Sequence, residues 1–273
     1  EKKGDFEAVF LDVGQGDATL LTFDTGEQML VDCGPDRSVL EGLGKWMPFY
    51  DRTLEYLVLT HSDGDHYLGC INVLESYNVQ NIWHNGLDNL DDPQWEVWKE
   101  AMLIEGADVH VIDREERHEI GETIVDVLYP DKSLPSNIKD NNASIVMRVQ
   151  YSPSPSRGEG VKKISPPLRG GGKGEGVVSI LLTGDAERET EEYLVQQYAG
   201  RLNSDILHAG HHGSNTSSIE EFLEAVSPEV AVISVGSDNR YGHPTRRVLK
   251  RLERFGAEIR RTDLDGDIHF FYK

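Results

Sequence analysis

The sequence predicts an α/β fold in which two β-sheets pack face to face and helices cover both outer sides, an αββα sandwich. Three observations lead to this prediction. Short apolar runs rich in Val, Leu and Phe recur along the chain, segments with helical spacing alternate with them in both halves, and Gly and Asp residues often separate the segments. We expect the 273 residues to form one domain.

The first part of the chain begins with short strands and then alternates between the two kinds of element. The predicted strands are residues 7–13, 18–23, 28–31 and 54–59. The last of these is continuously apolar, which is typical of a strand buried on both faces. Residues 37–46 have helical spacing, and residues 67–77 place Leu68, Ile71 and Leu74 on one side of a second helix.

The remainder repeats this scheme more loosely. The predicted strands are residues 108–112, 123–129, 143–151, 177–183, 205–208, 230–235, 258–261 and 267–272. The predicted helices are residues 95–104, 190–198, 219–225 and 245–255. Interleaved helices in both halves favour two sheets covered by helices rather than an all-β fold.

Residues 152–176 do not follow this pattern. They are rich in Gly, Pro, Ser, Lys and Arg and nearly lack large apolar side chains, and the segment 157–161 is echoed by 173–177. Such a segment cannot bury enough surface to offset the entropy lost on ordering. We therefore predict a flexible insertion between two strands of a hairpin, which costs little in loop closure.

Composition limits the classes of function. The chain has 48 Asp and Glu residues against 27 Lys and Arg residues, a formal net charge of −21. This balance argues against non-specific binding of duplex DNA over the whole surface, but it does not exclude a metal site that meets phosphate locally. No run of 18 or more apolar residues occurs, so no membrane span is predicted.

The two cysteines, Cys33 and Cys70, form neither a disulfide framework nor a CxxC zinc site. We interpret them as small buried residues, with one disulfide as the alternative if the protein is exported. The first residue is Glu1 rather than Met, so we expect a processed form or an excised part of a longer chain.

The strongest chemical motif is His61-Ser62-Asp63-Gly64-Asp65-His66, which follows a predicted buried strand and opens a predicted helix. It places four potential metal ligands within six residues at the carboxyl end of a strand. Gly64 allows a sharp backbone turn between the two pairs of ligands. The motif therefore predicts a metal site at this end of the sheet.

Three weaker motifs follow later strands. Thr183-Gly184-Asp185 places a single carboxylate at a strand tip. Residues 208–218 contain adjacent histidines and then Gly with hydroxyl and amide residues, which indicates a ligand followed by an anion-binding loop before a helix. Ser217 or Ser218 is expected to cap that helix. Residues 239–244 carry Tyr241 and His243 in what is otherwise an ordinary turn.

Together these motifs resemble the metallo-β-lactamase superfamily and, within it, the C-terminal hydrolase-like domain of the competence protein ComEC and its stand-alone relatives. The segments that carry the resemblance are residues 10–18, 31–34, 59–66, 181–185, 210–218 and 241–244. They occur in order over nearly the whole chain, interrupted by the insertion. The resemblance implies the αββα sandwich of the metallo-β-lactamase fold.

The resemblance also implies roles for individual residues. The expected metal ligands are His61, Asp63, Asp65, His66, Asp185 and His211, with His212 as the alternative late ligand. Asp185 would bridge two metals. Five residues are expected to lie behind the metal ligands and to orient them without binding metal themselves: Asp12, Gln15, Asp17, Asp32 and Asn142.

Two departures from the wider superfamily bear on the metal. Asp63 stands where most relatives have a second histidine, and Asn141-Asn142 occupies the stretch where a third histidine is usual. Both changes make the site richer in oxygen, which favours Mn²⁺ or Mg²⁺ and leaves Zn²⁺ as an alternative. We expect one or two divalent ions, because replacing these histidines can leave one of the two metal positions weak or empty.

The function implied by the resemblance is hydrolysis of a phosphodiester, with DNA as substrate and a membrane DNA-uptake channel as an expected partner. Asp65 is expected to orient the attacking water, and His243 or His212 to protonate the leaving oxygen. The residues expected to hold phosphate oxygens are Ser214, Asn215, Thr216 and Tyr241. By the same analogy we expect an extracytoplasmic location.

Two other functions stay open at this point. The first is a small-molecule hydrolase, such as a lactonase or a β-lactamase. The second is a non-catalytic module that partners a DNA-uptake channel, which the acidic surface and the changed ligands would allow.

Overall fold

The structure, a computed structural model, describes residues 4–132, 134–135, 137–153, 173–174 and 177–272. The insertion predicted at residues 152–176 lies outside these described residues except for positions 152–153 and 173–174. Among the helices that the structure describes, none combines the length and the apolar character needed to cross a membrane.

The described strands and helices alternate as predicted for most of the chain. The strands are β1 (Phe6–Phe10), β2 (Thr19–Thr22), β3 (Gln28–Val31), β4 (Thr53–Leu59), β5 (Asn78–His84), β6 (Asp108–Val111), β7 (Glu116–Ile120), β8 (Thr123–Tyr129), β9 (Val146–Tyr151), β10 (Lys173–Gly174), β11 (Val178–Leu182), β12 (Ile206–His208), β13 (Val230–Ile233), β14 (Glu258–Arg261) and β15 (Ile268–Tyr272). The α-helices are α1 (Ser38–Trp46), α2 (Gly64–Ser76), α3 (Gln94–Glu105), α4 (Arg188–Tyr198), α5 (Glu220–Val226), α6 (Arg246–Arg254) and α7 (Thr262–Asp265).

The described strands form two mixed sheets. The first has the order β10-β15-β1-β2-β3-β4-β5-β6, and the second has the order β14-β13-β12-β11-β9-β8-β7. Strands β3 to β6 are mutually parallel, as are β11 to β14. Because the carboxyl ends of parallel strands meet at one edge, the loops that follow β4, β11 and β12 can converge there.

Three apolar clusters hold these layers together. One lies between the sheets and includes Phe10, Val58 and Ile180, all fully buried. A second packs α1, α2 and α3 on the outer face of the first sheet, and a third packs α4, α5 and α6 on the outer face of the second. The predicted αββα sandwich is therefore confirmed.

The sequence analysis missed β5, β7, the short α7 and the two-residue β10, which lies within the predicted insertion and pairs with β15. The first half of β5 carries Asn78, Gln80 and Asn81, residue types with low strand propensity, and this strand is held because it pairs with β4 and β6. Strand β7 is charged and pairs only with β8 within the described residues, as suits the edge of a sheet. Strand β9 begins at Val146 rather than at residue 143, because residues 141–143 form a 3₁₀ turn.

Candidate metal centre

The loops after β4, β11 and β12 bring buried imidazoles around one carboxylate. The Nε2 atom of His66 lies 3.4 Å from Oδ1 of Asp185. The Nε2 atoms of His61 and His212 lie 3.9 Å and 3.7 Å from its Oδ2. All four residues are buried, and Asp185 stands at the centre of the group. The predicted convergence of the first two motifs with the histidine loop is therefore observed.

Two further carboxylates complete the rim of this cluster. Asp63 Oδ2 lies 3.6 Å from Nε2 of His61, and Asp65 Oδ2 lies 3.2 Å from Nε2 of His212. Their side chains are 38% and 28% exposed, so the cluster opens to solvent on their side. This exposed side offers a route for a substrate to reach the buried histidines.

Each of the three histidines has its Nδ1 engaged on the side away from Asp185. The Nδ1 of His66 lies 2.8 Å from Oδ2 of Asp32, and the Nδ1 of His212 lies 2.9 Å from the carbonyl oxygen of Ser234. The Nδ1 of His61 lies 3.0 Å from Oγ1 of Thr60. In the neutral form, with Nδ1–H donating to these oxygens, each ring would direct its Nε2 lone pair at the cluster.

The donor atoms suit a divalent cation. Nε2 of His61, His66 and His212 and Oδ1 of Asp185 are buried and have no hydrogen-bond partner among the residues that the structure describes. Leaving several converging polar atoms buried and unsatisfied costs roughly 1–3 kcal/mol each. A bound cation would satisfy all of them together, and mixed imidazole and carboxylate ligands are those that transition-metal ions accept.

The buried histidines and carboxylates of this cluster shift one another's pKa values. Burial alone would lower the pKa of His66, but Asp185 and Asp32 hold it well above the ordinary value. Burial opposes the charged form of His212 as well, and Asp185 and Asp17 raise its pKa. Burial would raise the pKa of Asp185, yet His212 and His66 lower it far below its usual range. The carboxylate therefore stays ionised and available as a ligand.

The histidine loop has an unusual backbone. His211, His212 and Gly213 have φ values of 51°, 52° and 77°, in the left-handed region that side chains seldom adopt. Consecutive residues in this conformation send the two imidazoles to different places. His212 enters the buried cluster, whereas the His211 side chain is 23% exposed and its Nε2 lies 3.8 Å from Oδ2 of Asp185. Non-glycine residues held in this region often belong to functional sites.

The His211 ring contacts polar groups outside the buried cluster. Its Nδ1 lies 3.1 Å from Oγ1 of Thr216 and 3.5 Å from Oε1 of Glu187. The Nδ2 atom of Asn141 lies 3.2 Å from the same Nδ1. His211 therefore faces the open side with a hydroxyl, a carboxylate and an amide around it.

A buried carboxylate anchors the far end of the histidine loop. Glu191 on α4 accepts the backbone N–H groups of Ser218 at 2.6 Å and Ile219 at 2.8 Å. Burial raises the pKa of Glu191 to about 8. Helix α5 begins after Ile219 without a side-chain cap, so the expectation that Ser217 or Ser218 would cap it is wrong. The Glu191 carboxylate accepts hydrogen bonds from the backbone amides at this end of the loop instead.

Glycines allow two close approaches around the centre. A Cβ on Gly16 would lie 2.1 Å from the backbone oxygen of Asp65, so the first loop can press against the ligand loop only with glycine there. A Cβ on Gly69 would lie 2.0 Å from the carbonyl oxygen of Cys33. Helix α2 therefore packs directly on the backbone of residues 33–36.

A disulfide joins the same two segments. Cys33 and Cys70 form a disulfide with a sequence separation of 37, and the backbone N–H of Cys33 donates to the carbonyl oxygen of His66 at 2.8 Å. Both cysteines are buried, as predicted, but they are bonded to each other rather than free. The alternative of one disulfide is thus the arrangement found. It ties the loop that carries Asp32 to the helix that carries His66.

Comparison with known proteins supports what this geometry indicates. A family model described as the metallo-beta-lactamase superfamily matches residues 11–138. A metallo hydrolase from Ignicoccus hospitalis superposes with a TM-score of 0.52 at 14% identity, covering 98% of this chain and 99% of that protein. The chain has the metallo-β-lactamase fold. The resemblance drawn from the motifs is confirmed.

Two curated relatives are more similar in sequence. The chain is 29% identical to ComE operon protein 3 of Bacillus subtilis over 98% of its own length and 33% of that protein. It is 34% identical to competence protein ComA of Neisseria gonorrhoeae over 95% of its length and 31% of that protein. The chain thus spans about a third of the length of these relatives.

In this chain, the stretch where metallo-β-lactamase-like proteins usually carry a third histidine has a structural role instead. The buried side chain of Asn142 accepts from the backbone N–H of Glu187 at 3.1 Å and from the hydroxyl of Thr190 at 3.1 Å. Its Nδ2 donates to Glu189 at 3.2 Å. Asn142 therefore fastens the 3₁₀ turn to the start of α4, behind Asp185 rather than beside it.

The other supporting residues differ in what they touch. Asp32 accepts from the backbone N–H of Thr60 at 2.8 Å and from its hydroxyl at 2.7 Å, besides contacting His66. Asp17 Oδ1 lies 3.2 Å from Nδ1 of His212. Gln15 Oε1 accepts from the N–H of Gly236 at 3.4 Å.

Asp12 does not reach the cluster through any described contact. Its side chain is exposed and accepts from the N–H of Gly14 at 3.3 Å. Its own N–H donates to the carboxylate of Asp267 at 2.9 Å. Asp12 therefore braces the loop that carries Gln15 and Asp17.

The residues expected to hold substrate do not form one surface, because Ser214 is buried whereas Asn215, Thr216 and Tyr241 are exposed. Ser214 Oγ and Thr216 Oγ1 are 2.9 Å apart and are linked through Thr216 to His211. Tyr241 stacks on His243 with 5.9 Å between ring centroids, and the His243 ring lies 5.6 Å from that of His211.

Several residues of the site were missed from the sequence. Thr60 links Asp32 to His61, and Ser144 Oγ accepts the backbone N–H of Asp185 at 3.0 Å. His208 is buried, with Nε2 2.9 Å from Oγ of Ser234 and 3.6 Å from Asp17. His208 lies within the recognised stretch 208–218 and Thr60 directly precedes His61, but neither was given a role from the sequence. No local signal identifies Ser144 or Ser234.

Proposed function

We propose that the protein is a metal-dependent phosphodiesterase that cleaves DNA. The observation that carries this proposal is the set of unsatisfied imidazole and carboxylate atoms that converge at an opening lined by hydroxyl, amide and imidazole side chains. The fold itself supports a metal-dependent hydrolase. Phosphodiester chemistry suits an oxygen-rich centre beside groups that can donate hydrogen bonds to phosphate oxygens.

The geometry supports two metal positions that share Asp185. One would use Asp65, His66 and His212, whose ligand atoms lie within 4.8 Å of one another. The other would use His61 and Asp63 with Asp185. This proposal leaves the partly exposed His211 out of the ligand set, although its Nε2 lies 3.8 Å from the same Asp185 oxygen. This assignment makes His212 the late ligand in place of His211. The second position is the poorer in nitrogen, so we expect it to bind more weakly.

The metal that best fits this set is Mn²⁺. Carboxylates supply three of the proposed ligands, and hard cations prefer oxygen, while imidazole ligands favour a transition metal over Mg²⁺. Mg²⁺ and Zn²⁺ are therefore less well matched. Divalent ions, when bound here, would activate water for attack and neutralise charge that develops on phosphate oxygens.

The chain's own groups would orient and protonate the reactants. Asp65 Oδ2 lies at the exposed rim, where it can accept a hydrogen bond from the attacking water. His243 and His211 lie next to each other on the open side, so either ring can deliver a proton to the leaving oxygen. Thr216 and Ser214 can donate hydroxyl hydrogens to non-bridging phosphate oxygens.

The two curated relatives favour a place in DNA uptake. One is named competence protein ComA and the other ComE operon protein 3, and the chain matches about a third of each. We infer that the domain acts on DNA beside a membrane uptake channel. The Cys33–Cys70 disulfide supports an extracytoplasmic position, because disulfides persist in oxidising compartments and are rare in the cytosol.

The test is cleavage of end-labelled single-stranded and double-stranded DNA with Mn²⁺. Wild-type protein should cut, and Asp65→Ala should lose activity by about 100-fold or more. Asp108→Ala is the matched control, because its carboxylate is exposed at the start of β6 and has no role in the site. Absence of cleavage by wild type with metal bound, or hydrolysis of nitrocefin instead, would overturn the proposal.

The ligand assignment is tested by a matched pair of neighbours. His212→Ala should lose bound metal measured by elemental analysis after dialysis, whereas His211→Ala should retain it. The reverse result would restore His211 as the ligand.

A further inference from the structure

The side chain of Tyr241 is presented to solvent at the edge of the candidate metal centre. It is 71% exposed, and its ring is nearly parallel to that of His243, with an interplanar angle of 12°. His243 in turn lies against His211, whose Nε2 is 3.8 Å from Asp185. The three rings therefore form a row from the protein surface to the carboxylate at the centre of the cluster.

The loop that carries Tyr241 is braced from within. Asn239 Oδ1 accepts the backbone N–H of His243 at 3.0 Å, and Asn239 Nδ2 donates to the carbonyl oxygens of His243 at 2.8 Å and Gly236 at 2.9 Å. These three bonds close the loop on itself. The exposed ring is therefore held in place before any ligand arrives, which reduces the entropy lost on binding.

The sequence around this ring is more basic than the chain as a whole. Arg240 precedes Tyr241, and Arg246 and Arg247 begin the next helix, all three exposed. The chain as a whole carries an excess of carboxylates, with a net charge of −21. An exposed aromatic ring with exposed arginines close to it in the sequence fits the way proteins bind single-stranded nucleic acid, with stacking for the bases and cations for the backbone.

We propose that the outer face of Tyr241 is a nucleobase subsite, so that the protein selects DNA with an unstacked base next to the phosphate at the metal centre. His243 lies nearly parallel to one side of the ring, with 5.9 Å between the centroids, and Tyr241 is 71% exposed, which leaves ring surface for one base. A base inside a duplex cannot stack on this ring without leaving its neighbours. Single-stranded DNA and frayed ends are therefore the preferred substrate class. This inference rests on the proposed phosphodiesterase function.

The experiment compares two substrates that differ only in their bases. One is a thymidine oligonucleotide, and the other is an oligomer of equal length made of abasic tetrahydrofuran units. Wild-type protein with Mn²⁺ should cleave the base-bearing oligomer with a kcat/KM about 5- to 150-fold higher, the range expected for stacking of one base. Tyr241→Leu should bring this ratio close to one, because leucine keeps bulk without a π-face.

Two further variants separate stacking from other roles of Tyr241. Tyr241→Phe should keep the ratio, because the ring face is retained. If the phenol hydroxyl instead binds phosphate, Tyr241→Phe should slow cleavage of both oligomers alike. Tyr50→Leu is the matched control, since Tyr50 is similarly exposed at 70% in the loop after α1. A Tyr50→Leu protein should keep the wild-type ratio.

The outcomes distinguish this inference from the function on which it rests. Equal cleavage of both oligomers by wild type would overturn the nucleobase subsite and leave the phosphodiesterase standing. Tighter binding of the thymidine oligomer without cleavage, measured by fluorescence anisotropy, would overturn the phosphodiesterase and leave the subsite. Neither binding nor cleavage would overturn both.

Discussion

Removal of the Cys33–Cys70 disulfide should destabilise the protein by an amount set by the loop that it closes. The two residues are 37 positions apart, and closing a loop of that size in the unfolded chain corresponds to about 4 kcal/mol. Both cysteines are fully buried, so the double variant Cys33→Ala/Cys70→Ala also loses some packing. We therefore expect a loss of at least about 3 kcal/mol in the free energy of unfolding.

Urea denaturation followed by far-UV circular dichroism measures this loss. The titrations belong in chelator, because bound metal would add its own stability to the folded state. If the cross-link acts on the unfolded state, the double variant should also show a larger m-value, since the free chain exposes more surface. Reduced wild-type protein should behave in the same way.

A control on the same helix separates cross-linking from packing. Val73 on α2 is fully buried, and Val73→Ala should lower stability without a change in m-value, because it leaves the loop closed. A double cysteine variant that loses less than about 1 kcal/mol with an unchanged m-value would refute the reasoning.

Three further predictions concern residues around the centre. Gly16→Ala should destabilise the fold by about 1–3 kcal/mol and weaken metal binding, because its Cβ would meet the backbone oxygen of Asp65. Urea titration measures the stability and metal titration the affinity. Unchanged values of both would contradict the prediction. Asp32→Asn should weaken metal affinity by about 10- to 100-fold in calorimetry, because it orients His66, and wild-type affinity would disprove that role. The folded-state pKa of Glu191 is raised from 4.5 to about 8, so its contribution to stability is complete at low pH and is lost as pH rises through 8. In the wild-type protein this group should lower the free energy of unfolding by up to about 5 kcal/mol between pH 4.5 and 8. Glu191→Gln should remove this pH dependence, and identical pH profiles of the two proteins would contradict the prediction.

Most of the layered architecture could be predicted because its elements have strong local patterns. Strand β4 is a continuous apolar run, and α2 places Leu68, Ile71 and Leu74 on one side, so each element follows from periodicity. Strands β5 and β7 were not predicted, since their polar and charged residues are kept extended by pairing with neighbours. Pairing is not a local property, and a single strand cannot reveal it.

The sequence by itself determined the chemical character of the site. The run from His61 to His66 and the Asp185 strand tip place ligands where strands end, and this follows from order along the chain alone. Only the tertiary structure showed that His212 is buried beside Asp185 while His211, at a similar distance from that carboxylate, is partly exposed, because left-handed backbone at both residues sets where each ring points. The tertiary structure also decided that Cys33 bonds Cys70 and that Asp17 reaches His212. These contacts join segments distant in sequence, and the packing of the two sheets and their helices, not any local pattern, brings them within reach.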